Sequence, residues 1–288
     1  MQSWRGAGVM ASCHDDFGKA LPPSMLDPSE ESTYVFLKEF LREVMDTFKD
    51  NYLHLGGDEA SFWTSQCWGN NAKIKEFMLK KDFHNITQLE NYYIQRLQSI
   101  VKQLFAERAA DERPRKMIFW QEVFDNNKPD PSNTIVHNWY SKTTEERFRD
   151  TKRAVERGFD VLVSSCWYLN YISYGPDWRA GTGPAKEIYY CDPRGFEGTY
   201  EEKQRVIGGI ATMWGEYVDA TNVESRTWPR ASAVAERLWS PPEQTRVADE
   251  AWPRLQEQRC RMVARGYHAE PVNGPDYCQT ELDEPMLI

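Results

Sequence analysis

Several features that would have pointed to other kinds of protein are missing from this chain. Its 288 residues include five scattered histidines and no Cys-x-x-Cys, so nothing has metal-ligand spacing. No apolar run approaches the length needed to cross a bilayer. Met1-Gln2-Ser3-Trp4-Arg5-Gly6 lacks the apolar core that a signal peptide carries. Lys and Arg number 35 against 44 Asp and Glu, a net charge of −9, and no basic cluster overrides the average. That balance argues against nucleic acid or an anionic membrane as the main partner. No cofactor and no metal are expected.

What is abundant is aromatic. Phe, Trp and Tyr make up 13% of residues, with 11 Trp among them. Tryptophan in a core is ordinary, but tryptophan beside acids and amides is how proteins stack on sugar faces. Six Cys and an Asn85-Ile86-Thr87 sequon suit a product of the secretory pathway, with Asn85 as the glycan acceptor. Spacing alone does not dictate the pairing. Cys260 and Cys278 can close a short loop, and Cys13 and Cys67, flanking the acidic element described below, are a second plausible bridge. Cys166 and Cys191 remain, paired or free.

Five short apolar runs alternate with helical patterns: 51–55, 117–120, 134–139, 159–164 and 206–214. Residues 1–33 read as loop. Apolar spacing predicts helices over 33–48, 71–80, 88–107, 143–157, 229–240 and 249–265, and residues 171–205 read as irregular. Continuous apolar strands separated by helices indicate a parallel sheet covered on both faces. Each run ends in an acid, Trp or Tyr. That is the layout of a (β/α) barrel, whose site is assembled at strand C-terminal ends. A doubly wound open sheet competes, but no Gly-rich phosphate loop accompanies it.

The most informative stretch is His54-Leu55-Gly56-Gly57-Asp58-Glu59. In a continuing strand, neighbouring side chains point to opposite faces. Two glycines allow the backbone to turn, so that both acids can face one cleft. Paired carboxylates at a strand end supply the proton donor and the anion that glycosidic bond cleavage needs. The plainer reading is a turn in which Asp58 caps the following helix.

Together with Trp120-Gln121-Glu122, Trp167-Tyr168-Leu169-Asn170, Met213-Trp214-Gly215-Glu216 and Trp228-Pro229-Arg230-Ala231, this stretch resembles the catalytic domain of the family 20 β-N-acetylhexosaminidases. The likeness is to the animal lysosomal and arthropod type, and it extends over nearly the whole chain. It implies an α/β (β/α)8 TIM barrel and hydrolysis of terminal β-linked N-acetylglucosamine or N-acetylgalactosamine from glycans. Catalysis would be substrate-assisted, the 2-acetamido oxygen attacking C1.

The resemblance implies roles one residue at a time. Glu59 is the acid and then the base, a role that calls for apolar neighbours. Asp58 holds the acetamide N–H, and Tyr168 its oxygen. Trp120, Trp139 and Trp214 wall the sugar, and Glu216 binds its outer hydroxyls. Asn170 stands where related subunits discriminate neutral from charged sugars. Tyr171 stands where one subunit type has Arg.

Trp63, Trp68, Trp178, Trp228 and Trp239 are assigned to packing, Glu236–Arg237 to a structural ion pair, and Asp219 to loop support. His54 is either a hydrogen-bonded core histidine or a catalytic one. Against the family, Met1 aligns just past the third barrel strand. The expectation is therefore a partial barrel over 1–288, about strands 4 to 8, without strands 1 to 3 or the small N-terminal α/β domain. The parent would be lysosomal or secreted, and a homo- or heterodimer with a related subunit. A noncatalytic fragment that binds sugar or dimerises is the alternative.

Overall fold

The computed structural model describes residues 2–108, 114–171, 178–179, 188–273 and 278. The chain forms two compact units, Met1–Val136 and His137–Ile288. The expected irregular stretch 171–205 lies partly outside the described residues.

The first unit opens on a 3-10 turn, Gln2–Ala7, and a small antiparallel pair, β1 (Cys13–His14) and β2 (Ala20–Leu21), where only loop was expected. Helix α1 (Glu31–Thr47) follows, with Tyr34, Leu37, Leu41 and Met45 buried along one stripe. Strand β3 (Tyr52–His54) leads to the short helix α2 (Ala60–Thr64) and a π-helical turn, Ser65–Gly69. The Trp-rich segment that follows the acids, for which no helix was expected, is thus helical. Helix α3 (Ala72–Lys80) starts at Asn71, whose side chain accepts from the Lys73 and Ile74 N–H groups. Helix α4 (Ile86–Ala106) buries Leu89, Ile94, Leu97, Val101 and Leu104, and buried Gln98 donates to Thr134 Oγ1 at 3.0 Å. Strand β4 (Lys116–Trp120) runs straight into helix α5 (Gln121–Asn126). Tyr34, Leu37, Ile94, Val101, Met117 and Phe119 belong to one core cluster, which gathers α1 and α4 on β4.

Strand β5 (Thr134–Asn138) contains the point at which the units divide. In the second unit come α6 (Thr144–Glu156), β6 (Asp160–Val163), α7 (Tyr200–Gln204), β7 (Val206–Gly209), α8 (Val223–Thr227), α9 (Arg230–Trp239) and α10 (Ala248–Val263). The strand order is β3-β4-β5-β6-β7, sequential, with β3–β4 and β6–β7 parallel. Sequential parallel strands alternating with helices are the barrel pattern, not the doubly wound one. At β7 a Cβ on Gly209 would lie 2.0 Å from a Trp167 ring atom and 2.6 Å from the Val163 carbonyl. Only glycine fits there.

Disulfides join Cys13–Cys67, Cys166–Cys191 and Cys260–Cys278. Glu236 and Arg237, assigned to an ion pair, direct their hydrogen bonds elsewhere, although the Arg237 charge is among the causes that lower the Glu236 carboxyl. Glu236 takes Arg254 at 2.5 Å and the Tyr189 hydroxyl at 2.6 Å, while Arg237 donates to the Thr245 carbonyl at 2.7 Å. Successive helix positions do not face each other, which is the physical reason. Trp68 and Trp178 are buried as assigned, but Trp63 is exposed and Trp239 is 93% exposed.

Candidate active site

In the first unit the site grows from the β3–β4 ladder. His54 pairs with Ile118, the Leu55 N–H donates to the Ile118 carbonyl at 2.8 Å, and the Trp120 N–H donates to the Gly56 carbonyl at 3.0 Å. The ladder therefore persists past the formal end of β3, and the chain turns only afterwards. Gly56 (φ +75°) and Gly57 (φ +97°) make the turn in the region that favours glycine. A Cβ on Gly57 would also meet Val123 Cγ2 at 2.4 Å.

The turn delivers Asp58 and Glu59 to the head of α2. Glu59 itself takes the left-handed conformation (φ +48°, ψ +23°), occupies the N-cap position, and makes no capping bond with its side chain. The reading of Asp58 as the helix cap is replaced, because the cap position falls one residue later. Both acids are exposed. The apolar surround expected of Glu59 is not what this geometry provides, since the turn lifts it off the strand and away from the core.

A third acid enters from the first turn of α5, just past β4. The Glu59 backbone N–H donates to Glu122 Oε1 at 3.2 Å. Glu122 in turn faces Glu90 of α4. Burial raises the Glu90 carboxyl above its ordinary range, and the charge of Glu122 raises it further. Neither role was read from the sequence, although a signal existed. Parallel register carries Glu122 as far beyond Ile118 as Asp58 lies beyond His54.

His54 packs against Trp120, ring centroids 4.9 Å apart, and its Nδ1 accepts from the Gly56 N–H at 3.1 Å. It therefore braces the glycine turn. Desolvation holds its imidazole below the ordinary value, with the Asp58 charge pulling the other way.

In the second unit, the Leu169 N–H donates to the Thr212 carbonyl at 2.8 Å and the Thr212 N–H donates to the Trp167 carbonyl at 2.9 Å. This bridge prolongs the β6–β7 pairing and fixes Tyr168, which is buried. Its ring stacks on Trp139 (6.1 Å) and on Tyr171 (5.8 Å). Asn170 is half-buried beside them. Trp214 and Glu216, beyond β7, are exposed. Asp219 accepts from the Thr221 N–H (2.8 Å) and hydroxyl (2.6 Å), holding the loop that follows. Among the described residues no cluster of His, Cys, Asp or Glu could hold a metal ion, and no helix is long and apolar enough to cross a membrane.

Residues 7–242 match the family model described as glycosyl hydrolase family 20, catalytic domain. The chain is 52% identical over 290 residues to beta-hexosaminidase A of Caenorhabditis elegans, covering 98% of this chain and 51% of the relative. It is 42% identical over 284 residues to beta-hexosaminidase subunit beta of Felis catus, covering 97% and 49%. The chain thus spans about half the length of the curated relatives it matches. Among solved structures, the chitobiase of Flavobacterium johnsoniae superposes with a TM-score of 0.66 at 28% identity, over 89% of this chain and 35% of that one. An exo-β-N-acetylglucosaminidase of Vibrio harveyi gives 0.70 at 16% identity, over 94% and 41%, a likeness of fold. The match over residues 7–242 and the identity to these relatives show that the chain belongs to glycosyl hydrolase family 20.

Proposed function

We propose that this chain carries the acid pair of a retaining β-N-acetylhexosaminidase that removes terminal non-reducing N-acetylhexosamine from glycoconjugates or chitin oligomers. The observation that supports this most is the Gly56-Gly57 turn. It lifts two adjacent acids off one parallel strand and fixes the second through Glu122. The five sequential strands are then consecutive strands of a (β/α)8 barrel wall.

In the substrate-assisted route the acetamide oxygen forms a bond to C1 as the glycosidic C1–O bond breaks. Glu59 gives its proton to the departing oxygen. Water then attacks C1, Glu59 takes its proton, and the acetamide is regenerated. Asp58 stays ionised, accepts from the acetamide N–H and steadies the charge on the closing ring. Tyr168 orients the acetamide oxygen. Trp120, Trp139 and Trp214 enclose the ring, while Glu216 and Asn170 bind outer hydroxyls. Three disulfides fit a lysosomal or secreted protein, and relatives named as subunits alpha and beta are consistent with a dimer.

The exposure of Asp58 and Glu59 favours a second reading, sugar binding without turnover. Comparing 4-nitrophenyl N-acetyl-β-glucosaminide with the plain β-glucoside separates the two. The leading proposal predicts hydrolysis of the N-acetyl substrate only. Equal cleavage of both defeats substrate assistance, and binding of a thiazoline inhibitor without hydrolysis favours the second reading.

A further inference from the structure

Away from the acid turn, the first unit holds a groove of about 470 Å³ with a mostly apolar lining, a volume within the usual range for small-ligand sites. Phe83, Thr87 and Gln88, which bracket Asn85, line one part of it. Asn91, Tyr92 and Gln95, on α4, line another.

The start of α4 fixes how Asn85 presents its amide. Oδ1 accepts the Gln88 N–H at 3.0 Å, and Gln88 Oε1 accepts the His84 N–H at 2.6 Å. The first bond caps the helix, and the second ties Gln88 back to the residue before the cap. The cap uses the oxygen of Asn85 and leaves Nδ2, the atom that a sequon glycosylates.

We propose that the groove seats the first N-acetylglucosamine units of a glycan carried on Asn85. In the attachment step Nδ2 bonds to sugar C1 of a lipid-linked oligosaccharide diphosphate. The C1–O bond to the diphosphate breaks, the lipid diphosphate leaves, and the amide gives up one proton to base. The cap through Oδ1 survives this chemistry.

The lining suits that occupant. Phe83 and Tyr92 stand with centroids 5.6 Å apart at 52°; Lys81 and Arg96 lie over the Tyr92 ring, each 5.8 Å from its centroid, so half-buried Phe83 is the apolar surface for sugar C–H groups. Asn91 Oδ1 accepts the Lys128 N–H at 3.1 Å, and Gln95 Nε2 donates to the Lys128 carbonyl at 2.7 Å. Those bonds orient both amides and present Asn91 Nδ2 and Gln95 Oε1, a donor and an acceptor that complement an acetamido group. A tethered sugar also meets the groove at an effective concentration on the order of millimolar, so contacts too weak to hold free sugar suffice. This reading is independent of the catalytic one.

The experiment secretes the chain from a eukaryotic cell and measures intact mass, followed by native digestion with a peptide N-glycosidase. The expected result is added glycan mass that Thr87→Ala abolishes while leaving the Asn85 cap in place. Native release from wild type should be slower by about tenfold, the equivalent of roughly 1.4 kcal/mol of contact, than from Phe83→Ala. Phe83 also meets Phe77 (6.5 Å), so exposed Gln95→Ala serves as the second variant and should accelerate release in the same direction. Absence of glycan on Asn85 overturns the proposal. Equal release rates in wild type and both variants also overturn it.

Discussion

Glu122 holds Glu59 by the backbone: its Oε1 accepts the Glu59 N–H at 3.2 Å, across the β3–β4 pair. The bond secures a left-handed residue that is not glycine, a conformation that persists only when its surroundings over-determine it. Hydrogen bonds to charged groups contribute about 1.5–3 kcal/mol. Glu122→Ala should therefore lower kcat on the N-acetyl substrate by roughly ten- to a hundredfold, with KM little changed. Glu122→Gln keeps an acceptor oxygen and should retain most of the activity. Equal loss in both variants would show that the charge, not the bond, matters.

Gly57→Ala tests the turn itself. The added methyl lies 2.4 Å from Val123 Cγ2 at a backbone φ of +97°. Overpacking costs about 1–3 kcal/mol, so the melting temperature should fall. Adding Val123→Ala should recover only part of the loss, because the positive φ remains. Full recovery would mean that the backbone is unstrained there.

Glu90 links stability to pH. Burial and then the Glu122 charge raise its folded value above the ordinary 4.5. The fold thus binds the Glu90 proton more tightly than the unfolded chain does. Its contribution to stability is whole below 4.5 and is lost as pH rises through the raised folded value. Glu90→Gln should raise the melting temperature at pH 7 and leave it unchanged at pH 4. Calorimetry at both values checks the sign.

Cys13–Cys67 closes the longest of the three loops, with a sequence separation of 54. The chain-entropy model gives such a bridge about 4 kcal/mol. The double variant Cys13→Ala/Cys67→Ala should lose stability to denaturant by that order. A loss below about 1 kcal/mol would indicate a denatured state already restricted near β1.

Much of this was legible in the sequence, for physical reasons that also explain the gaps. Strands such as Met117-Ile118-Phe119 sit between layers of side chains and must be apolar throughout, so they announced themselves. Helices α1 and α4 carry a buried stripe long enough to show its period. The helical segment at 60–69 and α5 did not, because helices of 5 and 6 residues have too few turns for a period to emerge. The acid pair was visible as a pair. Its third partner was not, because Glu122 is 63 residues from Glu59 and only the parallel register brings them together. Trp239 shows the limit of composition as a guide. It ends α9 on the side away from buried Ala233 and Val234, and its size alone suggested burial.

The claim on which the rest stands is that Glu59 moves the proton at the glycosidic oxygen. Its most direct test is kcat for Glu59→Gln on N-acetyl-β-glucosaminides with good and poor leaving groups. The account predicts a loss of about 10²–10⁴-fold on the poor leaving group and a much smaller one on the activated aryl substrate, which departs without a proton. The same loss on both, or none on either, would contradict it.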